Sequence, residues 1–149
     1  DVYRLTGELD PAHDLQPAAD GGAKDLAATR QRLARMIGRD ARDAAAADWQ
    51  ALAGAWRAAQ LAELRANLER VIAEAELPPA APLVSAGCGD FLVAALAREL
   101  GRPCRRFAEL ALDAATTDAG LLGRAQVGAP SAAVALLASA AQPSLARYR

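Results

Sequence analysis

Apolar and polar positions recur with the period of an α-helix over most of the first half of the chain. In residues 24–37 and 44–76, apolar side chains return every three or four positions, which is typical of amphipathic helices. Gly38 is expected to end the first helix, and the Pro78-Pro79 pair to end the second. Either Asp40 or Asp43 is placed to cap the longer helix.

Each predicted helix has one apolar face. In the first, Leu26, Leu33 and Ile37 share that face, whereas Arg30, Arg32 and Arg35 are expected to point to solvent. The face of the longer helix is marked by Trp49, Leu52, Trp56, Leu64, Leu68, Val71 and Ile72. We expect the two tryptophans to belong to the core rather than to a binding surface.

After residue 78 the pattern changes to short strands around one helix. Residues 82–86 carry no charge and predict a short buried strand. The Gly87-Cys88-Gly89 turn then leads into a predicted helix over 90–100, and residues 103–107 predict a second strand. A β-turn-α-β unit of this kind implies two parallel strands joined by a right-handed crossover.

The remaining segments are rich in turn residues or alanine. Residues 1–6 predict the tail of a helix that stops at Gly7. Residues 8–22 and 113–128 predict loops, the first of them long enough to be either functional or disordered. A final helix is expected over 130–141, with a frayed end from Pro143.

Composition narrows the functional classes. The net charge of −1 gives no electrostatic reason to expect nucleic acid or a membrane surface as partner. No apolar run approaches a membrane span. Cys88 and Cys104 lack metal-ligand spacing, so we expect no metal site and a reducing, cytoplasmic setting. Because Asp1 is not a Met and opens a structured pattern, we expect the chain to be part of a longer protein; a tag-cleaved or processed start is the alternative.

The Gly-Cys-Gly turn permits three interpretations from its residues alone. It is a tight connection without a ligand, the glycine-rich loop of an S-adenosylmethionine-binding fold, or a nucleophile elbow with Cys88 at its tip. Fewer than fifty residues follow the second strand, too few for the rest of a methyltransferase sheet. A thiolate needs a base, and the sole histidine, His13, lies far upstream in a polar loop.

Several segments in order carry a wider resemblance: DVYRLTGEL, AADGGAKD, ARMIGRD, LVSAGCGDFL and SAAVALLASA. Together they resemble the C-terminal half of the tetrahydromethanopterin-linked one-carbon transfer pathway proteins of methylotrophic bacteria. Those proteins are related to the archaeal enzyme that joins a furan and a tyramine unit in methanofuran biosynthesis. The resemblance implies a hydantoinase/oxoprolinase-like protein with the actin-like, sugar-kinase and Hsp70-type ATPase fold.

That superfamily has an adenosine motif, in which two apolar residues and a small spacer precede closely spaced glycines. Leu83, Val84, Gly87 and Gly89 fit this motif. The resemblance implies that the two glycines approach the nucleoside of ATP or another nucleotide bound with Mg. It further implies that the turn is lined by Ser85 and Cys88.

The resemblance also implies a cleft-facing segment at residues 19–24. There Asp20, next to Gly21, would hold a metal or water, and Lys24 would hold a phosphate oxygen. A plain turn and a solvated lysine are the open alternatives. Arg105 and Arg106 either aid phosphate binding or form a solvated pair at a strand edge.

We therefore predict a helix-rich α/β fold, the C-terminal subdomain of an actin-like (ribonuclease H-like) ATPase with a helical insertion and a small parallel sheet. Residues 1–77 form the helical segment and 78–149 the adenosine-motif segment of one compact domain. The two phosphate-gripping loops are expected upstream of Asp1, which makes the N-terminal half of the same protein the implied partner.

The predicted function is the nucleoside-binding wall of a transferase-like or kinase-like enzyme in one-carbon cofactor metabolism, acting on a small-molecule nucleotide or diphosphate. The chain alone is expected to be inactive. The alternatives are a non-catalytic scaffold module that pairs through its long helix, an inactive remnant and, less favoured, an S-adenosylmethionine-binding fold. A homodimer stays open.

Overall fold

The computed structural model describes residues 1–113 and 115–141. It is helix-rich and contains one two-stranded parallel sheet, which confirms the predicted helix-rich α/β class. The chain forms two compact units, Asp1–Pro78 and the residues from Pro79 onward. The expectation that both belong to one compact domain stays a prediction.

The first unit consists of three α-helices and two short 3-10 turns. The helices are α1 (Val2–Leu5), α2 (Leu26–Met36) and α3 (Ala46–Glu74), and the turns are Pro11–His13 and Ala41–Asp43. Its core joins all three helices through Leu5, Leu33 and Ala53. Gly7 and Gly38 follow α1 and α2 with φ of +75° and +71°, a conformation that glycine adopts without steric cost.

The predicted outward position of Arg32 is wrong. Arg32 is 5% exposed, whereas Leu26 and Ile37, which were expected on the apolar face, are 54% and 49% exposed. The face of α2 that is buried carries Thr29, Arg32 and Leu33. A guanidinium can be buried there because side-chain and backbone oxygens surround it.

The N-terminal cap of α3 also differs from the expectation. Asp40 caps the 3-10 turn, with its Oδ1 accepting from the Arg42 N–H at 3.1 Å. The helix itself begins at Ala46, and Asp48 accepts from the Ala45 N–H at 2.9 Å. Its apolar face is only partly buried: Trp49 is 4% exposed and Trp56 40%. The expectation of a core position is therefore correct for Trp49 alone.

The second unit is built around the predicted β-turn-α-β. Its elements are β1 (Leu83–Ser85), α4 (Asp90–Glu99), β2 (Cys104–Arg106), α5 (Phe107–Ala111), α6 (Ala119–Val127) and α7 (Ala129–Ala141). The strands are parallel, with Leu83 beside Cys104 and Ser85 beside Arg106. Helix α4 packs against the sheet and buries Leu92, Ala95, Leu96 and Ala97.

The strands are less buried than predicted. Val84 is 48% exposed, and every residue of β2 is exposed. Of the two faces of β1, Ser85 lies on the buried one, because successive side chains of a strand point in opposite directions. Phe107, predicted as the last residue of the second strand, instead begins α5.

The predicted loop over residues 113–128 is wrong, because Ala119–Val127 form α6. Its start is capped by Asp118, whose Oδ1 accepts from the Leu121 N–H at 3.0 Å. Glycines in this segment lower its intrinsic helix propensity; burial of Ala125 and Gln126 offsets that cost. The final helix is confirmed, and the expectation about the chain from Pro143 falls outside the described residues.

Candidate functional site

The Gly-Cys-Gly turn connects β1 to the first turn of α4. Gly87 has a φ of +83°, which disfavours any residue with a Cβ. Gly89 has an ordinary φ of −101°, and a Cβ at this position would lie 4.0 Å from Leu92 Cδ1. Glycine is therefore required by the backbone at Gly87, whereas at Gly89 it only keeps the surface of the turn bare.

A glutamine from α6 holds this turn in place. The Gly87 N–H donates to the carbonyl of Gln126 at 2.8 Å. The side-chain amide of Gln126 donates from Nε2 to the Ser85 carbonyl at 2.9 Å, and its Oε1 accepts from the Ala108 N–H at 3.2 Å. The Gln126 side chain is 1% exposed and joins the last residue of β1 to the first turn of α5.

The position of Gln126 limits where a ligand could bind. In open α/β sheets, ligands bind at the carboxyl ends of the parallel strands. Here the place between the ends of β1 and β2 is taken by Gln126, which is hydrogen-bonded to residues that follow or end both strands. A ligand is left with the outer surface of the turn.

The outer surface of the turn offers backbone donors. The N–H groups of Cys88 and Gly89 have no hydrogen-bond partner among residues 1–113 and 115–141. Gly89 is the N-cap of α4, so the positive end of the helix dipole lies at the same place. The Cys88 thiol is exposed beside it. Such a surface suits an oxyanion or the ring acceptor of a nucleobase.

Ser85 lies beneath the turn rather than on its surface. It is 3% exposed, and its hydroxyl donates to the Arg105 carbonyl at 3.5 Å and accepts from Gln126 Nε2 at 3.4 Å. The hydroxyl thus helps to join the two strands. Its role as a ligand contact stays a prediction.

Opposite charges meet at the carboxyl end of the sheet. Arg106, the last residue of β2, places its Nε 4.0 Å from Asp90 Oδ2. The same carboxylate oxygen accepts from Gln126 Nε2 at 3.2 Å. Because the Arg106 side chain is about half exposed, its guanidinium is available to an anionic ligand, although Asp90 partly neutralises it.

The predicted residues of the first unit are held by neighbouring side chains. Asp20 Oδ1 accepts from the Gly22 N–H at 3.0 Å and from Arg32 at 3.2 Å. These contacts, the Gly22 hydrogen bond foremost, lower the pKa of Asp20. Gly21 has a φ of +66° and completes the turn by donating its N–H to the Ala18 carbonyl at 2.8 Å.

Lys24 is paired with Asp14, and its role as a phosphate contact stays a prediction. Its Nζ donates to the Asp14 carbonyl and lies 3.3 Å from Asp14 Oδ1. Asp14 also accepts from Arg4 Nε at 2.6 Å. Hydrogen bonds from Arg4 and then Lys24 lower the pKa of Asp14 to about 2. Lys24 and Asp20 line two different cavities of the first unit, of about 340 and 350 Å³.

The sequence patterns missed two residues that organise these sites. Gln126 lies in residues 113–128, which the glycines of that segment predict to be a loop. Arg32 is predicted on the solvent-facing side of its helix from the helical period alone. The signal for α6 that the sequence does offer is Asp118, an N-cap residue placed just before the apolar pair Leu121-Leu122. Nothing in the sequence indicates that Arg32 is buried, since that depends on which loop covers it.

No protein-family model, curated protein or solved structure matches the chain. Among residues 1–113 and 115–141, no group of three or more His, Cys, Asp or Glu side chains is arranged to hold a metal ion. Within the same residues, none of the helices has both the length and the apolarity for a single membrane span.

Proposed function

We propose that the chain supplies the nucleoside-binding wall of a nucleotide- or diphosphate-dependent enzyme, with the ligand on the outer surface of the Gly87-Cys88-Gly89 turn. The enzyme would be a transferase-like or kinase-like protein of one-carbon cofactor metabolism with an actin-like ATPase fold. In this proposal the rest of the cleft comes from an N-terminal half of the same protein.

One observation carries the proposal. The turn is a glycine-bounded connection from a parallel strand to a helix, and its two successive N–H groups, of Cys88 and Gly89, have no partner among the described residues. Because Gly89 has no Cβ, a planar ring or an oxyanion can approach these groups closely. The Gln126 carbonyl fixes the orientation of the turn through Gly87.

The residues around the Gly87-Cys88-Gly89 turn are better suited to contact a nucleotide than to bind its magnesium ion. A nucleoside or phosphate oxygen would be held by the backbone of Cys88 and Gly89. Arg106, whose Nε lies 4.0 Å from Asp90 Oδ2, would add a charge-assisted hydrogen bond. Magnesium prefers several oxygen ligands, yet the carboxylate at the turn, Asp90, already accepts from Gln126 and lies beside Arg106. In this proposal the metal and the outer phosphates are held by residues outside this unit.

A second candidate function uses the long helix. Trp56, Leu64 and Val71 follow one another along α3 and are 40%, 38% and 50% exposed. Exposed apolar side chains at such spacing on one helix are typical of a surface that pairs with a partner helix. This observation favours the scaffold module predicted as the alternative to an enzyme.

Titration calorimetry of the chain with ADP, ATP and adenosine tests the nucleotide proposal. We expect weak binding that is reduced about tenfold or more by Gly89→Val, because the added side chain covers the surface of the turn without straining a φ of −101°. Gly87→Val should abolish binding by changing the turn itself.

A matched control separates loss of the site from loss of the fold. Gly101 also has a positive φ, +62°, and open space where a Cβ would lie, but it follows the other end of α4. Gly101→Val should cost similar stability and leave the nucleotide affinity unchanged. Equal affinities for the wild type, Gly89→Val and Gly87→Val would reject the turn as the binding surface.

A further inference from the structure

A buried arginine in the first unit lies at a small cavity. The cavity measures about 350 Å³ and is lined by Asp1, Ala19, Asp20, Arg32, Arg35 and Met36. Arg32 is 5% exposed. Two arginines three residues apart on α2 therefore lie at one cavity, together with the apolar side chain of Met36.

Most of the Arg32 donors are committed to structural partners. Its Nε donates to Asp1 Oδ1 at 3.0 Å, one terminal nitrogen donates to the Ala23 carbonyl at 2.8 Å, and the other donates to Thr29 Oγ1 at 3.2 Å. These contacts fix the guanidinium plane. Asp1 is in turn paired with Arg4 at 2.7 Å, so its charge is shared with a second cation.

The contact with Asp20 is of a different kind. Asp20 Oδ1 lies 3.2 Å from Arg32, and Oδ2 lies 3.7 Å from an Arg35 nitrogen, too far for a hydrogen bond. The Asp20 side chain is 36% exposed and that of Arg35 61%. One carboxylate at the rim of the cavity thus lies between two guanidinium groups. It is held by Arg32 and by the Gly22 N–H at 3.0 Å, and it makes no hydrogen bond to Arg35.

We propose that Arg32 and Arg35 form a binding site for the oxyanion of a small molecule, a carboxylate or phosphate, and that Asp20 occupies this site as an internal substitute until the ligand displaces it. Arginine pairs match the geometry of both oxyanions. The cavity volume suits a small ligand whose apolar part lies against Met36. This site is separate from the turn at Gly87 and does not depend on the function proposed there.

In this site Asp20 has a different role from the one implied by the resemblance, which was to hold a metal or water. A carboxylate between two arginines does not attract a metal cation; it marks a place where an anion is favourable. When it swings away, the cavity gains one net positive charge, and Arg35 can form the hydrogen bond that Asp20 does not reach. Asp20 then keeps its charge in solvent, where hydration stabilises it.

Binding of inorganic phosphate, pyrophosphate and acetate to the whole chain, at constant ionic strength set with chloride, tests the site. We expect Asp20→Asn to bind the preferred anion about tenfold more tightly than the wild type, because the internal competitor has lost its charge. Arg35→Gln should weaken binding in both backgrounds. Comparing the affinities for phosphate and acetate shows which oxyanion the site prefers.

Two further variants keep the result decisive. Glu74→Gln makes the same change of net charge on an exposed part of α3 and should leave the affinity unchanged. Arg35 is exposed, so Arg35→Gln tests the site even if Asp20→Asn fails to fold. Equal affinities in the wild type, Asp20→Asn and Arg35→Gln, or a gain in Glu74→Gln equal to that of Asp20→Asn, would overturn the proposal.

Discussion

The backbone N–H of Gly87 donates a hydrogen bond to the carbonyl of Gln126 at 2.8 Å. This contact joins the turn after β1 to α6, two elements far apart in the chain. The Gln126 side chain adds contacts to Ser85, Asp90 and Ala108. A single buried residue thus sets the geometry of the candidate site while remaining out of reach of a ligand.

Replacing Gln126 should destabilise the second unit. Gln126→Ala leaves the buried Ala108 N–H and the Ser85 carbonyl without this partner, and each unsatisfied buried group costs about 1–3 kcal/mol. We expect the free energy of unfolding to fall by about 2–4 kcal/mol. Both tryptophans lie in the first unit, so hydrogen exchange of the α4 amides is the suitable measurement. The control is Gln16→Ala at an exposed loop position, and unchanged α4 exchange in Gln126→Ala would contradict the prediction.

Two glycines should respond in opposite ways to the same substitution. Gly87→Ala places a Cβ at a φ of +83° and is expected to cost about 1–2 kcal/mol. Gly54 lies inside α3, and outside its own helix backbone no atom lies within 4 Å of the place a Cβ would take. Gly54→Ala should therefore stabilise by about 0.5–1 kcal/mol. Thermal unfolding followed by circular dichroism compares the two. A gain in stability from Gly87→Ala would show that the turn does not need its left-handed conformation.

Arg32 should contribute far more stability than its neighbour on the same helix. Arg32→Ala removes hydrogen bonds to Ala23 and Thr29 and leaves Asp1 with one cation fewer. Because Asp1 keeps Arg4 as a partner and Asp20 is partly exposed, the expected cost is that of the lost hydrogen bonds to a charged group, about 1.5–3 kcal/mol. Arg30→Ala makes the same change of residue type at a half-buried position and should cost less than about 1 kcal/mol. Urea denaturation followed by tryptophan fluorescence reports on this unit, and equal midpoints for the two variants would refute the assignment.

The first unit should lose stability in acid. Arg4 and Lys24 hold the pKa of Asp14 at about 2, below its ordinary value of 3.8. Between these values the unfolded chain binds more protons than the folded one, so the free energy of unfolding falls as the pH drops from about 4 to about 2. Asp14→Asn should flatten this part of the pH profile in urea denaturation. An Asp14→Asn profile as steep as that of the wild type would assign the acid sensitivity to other carboxylates.

The sequence by itself determined the elements whose signals are local. Helical period predicted α2, α3 and α4 with ends near those observed, and Gly38, predicted to end α2, takes a conformation that glycine alone adopts freely. The order strand, Gly-Cys-Gly turn, helix, strand predicted a parallel pair, because such a crossover returns the chain in the same direction. The sequence also placed Gly87 in the turn after β1, and the positive φ of this residue is a backbone requirement of that turn.

Tertiary structure alone decided which polar residues are buried and what they hold. Helix α6 forms despite its glycines because Gln126, when buried, makes hydrogen bonds to β1, α4 and α5. This stabilisation is not part of the local helix propensity. Arg32 is buried because the loop carrying Asp20 and Ala23 folds over it, and helical period cannot register the position of a loop. The same long-range contacts direct Asp20 towards arginines and Lys24 towards Asp14, at positions where the family resemblance implies contacts to a ligand.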